Sequence, residues 1–190
     1  MLRAIRLPLE LDAAGLKADL AGFTEDDWVP HFNTSYYEGD WSGIAFRSVG
    51  GASKQLYPDP AASDPFADTA NLDRAPHVRT TLAAFGCELL SARFLRLAAR
   101  SVIKEHRDYN LGYEDGELRI HIPVQRNPDV EFVLDGQQLD MQEGDAWYLD
   151  LNLKHSVANR GNVDRVHLVV DCVVNDWLSD LVRAGEAAAA

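Results

Sequence analysis

From Ser91 onward the chain changes texture: apolar and polar positions alternate with a period of two in short runs, the mark of half-buried strands. The runs are Ala92–Leu97, Ser101–His106, Glu117–Gln125, Val130–Leu134, Gln137–Met141, Ala146–Leu151, His155–Asn159 and Arg165–Val174. Between them stand Glu114-Asp115-Gly116, Asp135-Gly136, Glu143-Gly144-Asp145 and Arg160-Gly161-Asn162, all rich in residues that tolerate a left-handed backbone. About eight short strands in succession predict a jelly roll, two sheets closing round a central cavity. The alternation also sorts chemistry by face. Arg119, His121 and Pro123 oppose Ile120, Ile122 and Val124, while Arg165, His167 and Val169 oppose Val166, Leu168 and Val170. Polar rows backed by aliphatic rows predict a functional interior and a dry outer layer.

The first half of the chain reads as support. Residues 2–9 alternate loosely enough for an edge strand, and Asp12 is placed to cap a short helix that carries Leu16 and Leu20 and stops at Gly22. The stretch Thr24–Tyr37 has no period but holds Trp28, His31, Phe32, Tyr36 and Tyr37, candidates either for a pocket wall or for loop cover. Trp41–Ser48 reads as a strand, Tyr57–Asp73 as an irregular loop, and Pro76–Phe85 as a helix with proline in its first turn. A closing helix begins near Asn175. The expected architecture is mainly β: a double-stranded β-helix, cupin-like, with flanking N- and C-terminal helices. It forms one domain over 1–190, with 1–91 as support, 92–174 as the core and 175–190 as closing helix and tail.

Composition narrows the partners. A chain of 190 residues with 46% hydrophobic positions can bury one sizeable core. Its formal net charge of −12 argues against gripping nucleic acid or an anionic membrane, which leaves small molecules as the expected partners. Charged residues and Pro8 interrupt every run that could serve as a signal peptide or membrane span, and Cys87 and Cys172 fit no disulfide framework. They are expected to be buried, reduced thiols in a cytoplasmic protein.

The chemistry gathers at Glu105-His106-Arg107-Asp108-Tyr109. His106 and Asp108 are two apart, so an extended chain presents both on one face, and a roll of strands can return His155 beside them. Two neutral imidazoles and a carboxylate are the donor set of a non-haem iron(II) site that leaves positions open for an organic acid and dioxygen. Arg165 has the planar fork that clamps a carboxylate. His167 reads as a hydrogen-bonded core histidine, Arg93 and Arg96 as solvated edge residues, and His31 and His77 as surface residues.

In sequence the residues Ala92-Arg93-x-x-Arg96, His106-Arg107-Asp108-Tyr109, Arg119-Ile120-His121, Gly144-Asp145-x-Trp147-Tyr148-Leu149-Asp150, His155-Ser156 and Arg165-Val166-His167-Leu168-Val169-Val170-Asp171 form an ordered series. The series resembles the aspartyl/asparaginyl β-hydroxylase family of 2-oxoglutarate-dependent oxygenases, and within it the bacterial members of the L-proline cis-4-hydroxylase kind. The resemblance implies Fe(II), 2-oxoglutarate and O2, with His106, Asp108 and His155 as catalytic metal ligands. It implies Arg165 and His121 at the co-substrate, and Arg119, Arg93, Arg96 and Trp147 as candidates at an amino-acid-like substrate or peptide residue. Animal members carry glycine in place of Asp108, so this chain sides with those having a full triad. Two rival readings follow from the same residues: a metal-binding jelly-roll sensor without turnover, and a cupin-type dioxygenase or isomerase, for which Arg165 has no evident use.

Overall fold

The computed structural model describes residues 3–57 and 63–189. In chain order, β1 (Ala4–Leu7) leads into α1 (Ala13–Ala21), followed by β2 (Val29–Pro30), β3 (Tyr37–Glu38), β4 (Trp41–Val49) and β5 (Phe66–Asp68). After α2 (Pro76–Ala83) come β6 (Leu89–Leu97), β7 (Val102–His106), β8 (Glu117–Gln125), β9 (Val130–Leu134), β10 (Gln137–Leu139), β11 (Ala146–Leu149), β12 (His155–Asn159) and β13 (Arg165–Val173), and α3 (Asp176–Ala189) closes the chain. The strands expected after Ser91 are therefore all present.

They form two antiparallel sheets. The larger runs β1-β11-β8-β13-β6-β4-β2 with β5 added beside β4, and the smaller runs β10-β9-β12-β7-β3. Strand order alternates between distant parts of the sequence, as a jelly roll requires. The aliphatic rows face outward as expected: Ile120, Ile122, Val124, Val166, Leu168 and Val170 share one buried cluster with Leu16 of α1, Val78 and Leu82 of α2, and Leu178 and Val182 of α3. A second cluster lies between the sheets, where Trp41, Leu97 and Leu149 meet Phe132, Leu134 and Val157.

Local signals explain the element ends. Asp12 Oδ1 accepts from the Gly15 amide at 2.8 Å, the N-cap expected for α1. Asp135 and Gly136, with φ of 48° and 77°, make the tight turn that pairs Leu134 with Gln137. At Gly185 an added Cβ would meet the Arg6 carbonyl oxygen at 2.5 Å, so only glycine lets α3 cross β1 this closely.

Two expectations need correction. The stretch Tyr57–Asp73, of which 58–62 lie outside the described residues, is not wholly irregular: β5 pairs with β4, and Arg47 Nη1 donates to Asp68 Oδ1 at 2.8 Å. Three residues are too few for a period to register in the sequence. The N-terminal half is also more than support, because β4 bonds to β6 inside the main sheet. Both cysteines are free, Cys172 buried and Cys87 only half-buried. Among the described residues no helix is long and apolar enough to cross a membrane.

Candidate metal and co-substrate site

β7 and β12 are antiparallel neighbours, and their register sets His155 directly opposite His106. Residues so paired project from the same face, which brings the two rings to a centroid separation of 4.3 Å. Asp108 follows on a backbone anchored by its amide to the Leu151 carbonyl at 2.9 Å, and its Oδ1 comes to 3.6 Å from His106 Nε2. One donor atom from each of His106, Asp108 and His155 lies within 4.8 Å of the others.

The protonation pattern suits a metal. His106 Nδ1 lies 2.7 Å from the Lys104 carbonyl and His155 Nδ1 lies 3.0 Å from the Leu153 carbonyl. A carbonyl oxygen only accepts, so each Nδ1 carries the proton and each Nε2 keeps a lone pair for an ion. Burial holds His155 down to about 4, so its ring is neutral at physiological pH.

Behind the triad sits a buried charge cluster. Arg119 Nη1 donates to Asp108 Oδ2 at 2.7 Å, while Nε and Nη2 donate to the two oxygens of Asp171 at 2.6 and 3.0 Å. Asp171 also accepts from Ser91 Oγ at 2.6 Å and from Arg93 Nη1 at 3.1 Å. Cross-strand register places Arg119 opposite Asp171 and Arg93 opposite Val169, so all three side chains enter the interior between the sheets. Arg93 is only 1% exposed, lies over the Tyr57 ring at 4.8 Å, and among the described residues its Nε and Nη2 have no hydrogen-bond partner.

Arg165 is a further buried cation. Its Nη2 donates to His167 Nδ1 at 2.8 Å, its guanidinium lies 5.6 Å from the centre of the Phe132 ring, and among the described residues its Nε has no partner. Among the described residues no carboxylate forms an ion pair with it. Burial lowers its pKa to about 9, which still leaves it charged at neutral pH. His121 is buried beside it with both ring nitrogens unpartnered, and burial followed by the Arg165 charge keeps it neutral well below pH 6.5. Buried polar atoms rarely stay unsatisfied, so these orphans point to a ligand. The triad, Arg119, His121 and Arg165 line one cavity of about 40 Å³ with Trp41, Tyr57, Leu95 and Phe132. Phe132, Arg165 and His167 also line a neighbouring cleft of about 30 Å³.

Several expected roles change. Arg93 and Arg96 are not solvated edge residues: both are buried, on opposite faces of β6. Arg96 turns away from the cavity, donating to Glu25 Oε1 at 2.7 Å and Ser42 Oγ at 3.1 Å and lying over Trp28 at 4.4 Å, so it has no access to a substrate there. Trp147 sits opposite His121 but one strand nearer the sheet edge, lining a separate groove of about 840 Å³ beside β1, β10 and α3. Arg119, expected at the substrate, has all three nitrogens engaged by Asp108 and Asp171. His31 is buried, not superficial, and stacks on Trp41 with ring centroids 3.6 Å apart; burial depresses it to about 4. His77 is half-exposed as expected, paired with Asp19 at 2.8 Å.

The reading of residues missed Asp171 and Tyr57. Asp171 has a signal, since it continues the interior row of Arg165, His167 and Val169. Tyr57 belongs to an aperiodic stretch and has none.

A sequence profile described as Aspartyl/Asparaginyl beta-hydroxylase matches residues 13–174. The chain is 24% identical over 172 residues to the L-proline cis-4-hydroxylase of Rhizobium meliloti (strain 1021), an alignment covering 86% of this chain and 58% of that protein. It thus spans a little over half of that relative's length. Among solved structures, a 2OG-Fe(II) oxygenase family oxidoreductase from Burkholderia pseudomallei superposes with a TM-score of 0.57 at 16% identity, covering 86% of this chain and 81% of that one. A Pseudomonas putida prolyl-4-hydroxylase gives 0.52 at 12% identity, covering 90% and 92%. These structural likenesses show a shared fold.

Proposed function

Because the chain belongs to the aspartyl/asparaginyl β-hydroxylase family, we propose that it is an Fe(II)- and 2-oxoglutarate-dependent hydroxylase of a small amino-acid-like substrate or amino-acid residue. The observation that carries the reading is a single cavity lined by the His106, Asp108 and His155 donors together with the unpaired Arg165 and the unpartnered His121.

The residues fit the groups they are asked to hold. His106, Asp108 and His155 offer two neutral nitrogens and one carboxylate, the donor set suited to iron(II) with open positions. When bound, iron and 2-oxoglutarate couple oxidative decarboxylation to hydroxylation of an unactivated C–H bond. Arg165 would hold the distal carboxylate of 2-oxoglutarate, with His167 fixing its orientation and His121 completing the polar wall. The cavity of about 40 Å³ is too small for that molecule as it stands. Phe132 and Arg165 line both this cavity and its neighbour, so the two spaces adjoin at the proposed co-substrate end.

Arg93, behind Tyr57, has Nε and Nη2 unpartnered among the described residues, the edge of a guanidinium that takes a carboxylate with two parallel bonds. It is our candidate for the substrate carboxylate, with the rest of the substrate beside Tyr57 and Trp41 of the cavity wall. Arg119 keeps Asp108 oriented, and the aromatic walls keep water from the reacting atoms.

Succinate release measured across free amino acids and short peptides tests the proposal. One or more of them should raise succinate formation well above the substrate-free rate. Iron-loaded protein that makes no succinate with any of them would contradict it.

A further inference from the structure

Asp171 is a buried anion to which the proposed chemistry gives no part. Its side chain is 9% exposed, and that of its partner Arg119 is 10% exposed. Burial alone would raise the Asp171 carboxyl, but Arg119 and Arg93 more than offset this and hold it well below the usual carboxylate range.

The geometry gives the pair a direction. A guanidinium is planar and rigid, so fixing two of its nitrogens fixes the third. Arg119 rests Nε and Nη2 on Asp171, and the remaining Nη1 then reaches Asp108 Oδ2 at 2.7 Å. The other oxygen, Oδ1, is the one that lies 3.6 Å from His106 Nε2. A carboxylate oxygen held by a charge-assisted bond is withdrawn from competition for an ion. We propose that Asp171 is a positioning residue for the metal site: through Arg119 it commits Asp108 to binding by Oδ1 alone. The proposal rests on the reading of His106, Asp108 and His155 as metal ligands. Its chemical consequence is an open coordination position, because a second carboxylate oxygen would occupy one that the co-substrate or dioxygen needs. The same carboxylate takes Arg93 by Nη1, so Asp171 ties both arginines together behind the cavity.

A merely structural Asp171 would neutralise two buried cations and influence only stability. Anaerobic Co(II) titration of the folded apoprotein, with affinity and ligand-field absorption as readouts, separates the two roles. Wild type should take up one Co(II), and His106→Ala should abolish this; uptake indifferent to His106→Ala would overturn the triad reading itself. Asp171→Asn should weaken Co(II) binding about 10- to 100-fold, the usual effect of losing a group that orients a ligand. Its ligand-field bands should weaken as Asp108 adds its second oxygen. Asp171→Glu keeps the charge between the arginines, and so the fold, while displacing Arg119; it should show a smaller loss in the same direction. In an Arg119→Met background, Asp171→Asn should add nothing further. Wild-type affinity and bands in folded Asp171→Asn or in Asp171→Glu, or an undiminished loss in the Arg119→Met background, would overturn the proposal.

Discussion

Arg165 Nη2 donates to His167 Nδ1 at 2.8 Å, so the cation assigned to the co-substrate is aimed by its neighbour two residues along the same strand. A hydrogen bond involving a charged group is worth about 1.5–3 kcal/mol. His167→Ala should therefore weaken 2-oxoglutarate binding to Ni(II)-loaded protein roughly 10- to 100-fold. Arg165→Ala should weaken it at least as much, and neither change should alter metal affinity. Calorimetric titration checks this; loss of metal in Arg165→Ala would contradict the assignment.

Asp108 is one of the three proposed metal donors and is also the partner of Arg119 Nη1. Asp108→Gly removes the carboxylate and leaves a cation facing the ion. Metal affinity should fall more than about 10-fold, on the scale seen when even an outer partner of a ligand is lost. Equilibrium dialysis against Fe(II) without oxygen measures it.

Arg93 and Arg96, three apart on β6, should respond differently. Arg93→Lys keeps the charge beside Asp171 but loses the two-donor edge, and should raise KM for a carboxylate-bearing substrate about 10- to 100-fold while leaving 2-oxoglutarate affinity alone. Arg96→Lys, on the opposite face among Glu25, Ser42 and Trp28, should leave KM unchanged. Steady-state kinetics on the best substrate from the amino-acid panel distinguishes the two.

Stability should fall in mild acid. His31, His121 and His167 are held neutral mainly by burial, with His31 near 4 and the other two well below their ordinary value. Below about pH 6.5 the unfolded chain binds protons that the folded chain refuses, so stability is lost as pH falls from there toward the folded values. Each histidine adds a slope of up to about 1.4 kcal/mol per pH unit. Urea unfolding of the apoprotein should show stability level above pH 7.5 and dropping between 6 and 4.5, less steeply in His31→Phe. A flat profile would contradict the burial argument.

The sequence made much of this site legible because strand parity carries information about faces. His106 with Asp108, and Arg165 with His167, could be put on shared faces by counting in twos; the observed register keeps His106, Arg165 and His167 there, while Asp108 follows just beyond the end of β7. Parity says nothing about depth, however. Trp147 is paired with His121 yet, one strand nearer the sheet edge, lines a separate groove. Nor does parity reveal what covers a face: Arg96 is buried because the stretch carrying Glu25 and Trp28 folds over it. Asp171 was in phase but had no meaning until Arg119 was seen to bridge it to Asp108. Tyr57 and His31 come from segments without a period, so their burial depends on contacts made only in the folded chain.

The most direct test of the central claim is the visible spectrum recorded as 2-oxoglutarate is added anaerobically to the Fe(II)-loaded protein. A weak charge-transfer band should grow to saturation, be absent in His155→Ala, and require much more 2-oxoglutarate in Arg165→Ala. Iron-loaded wild-type protein that stays colourless at saturating 2-oxoglutarate would contradict the account.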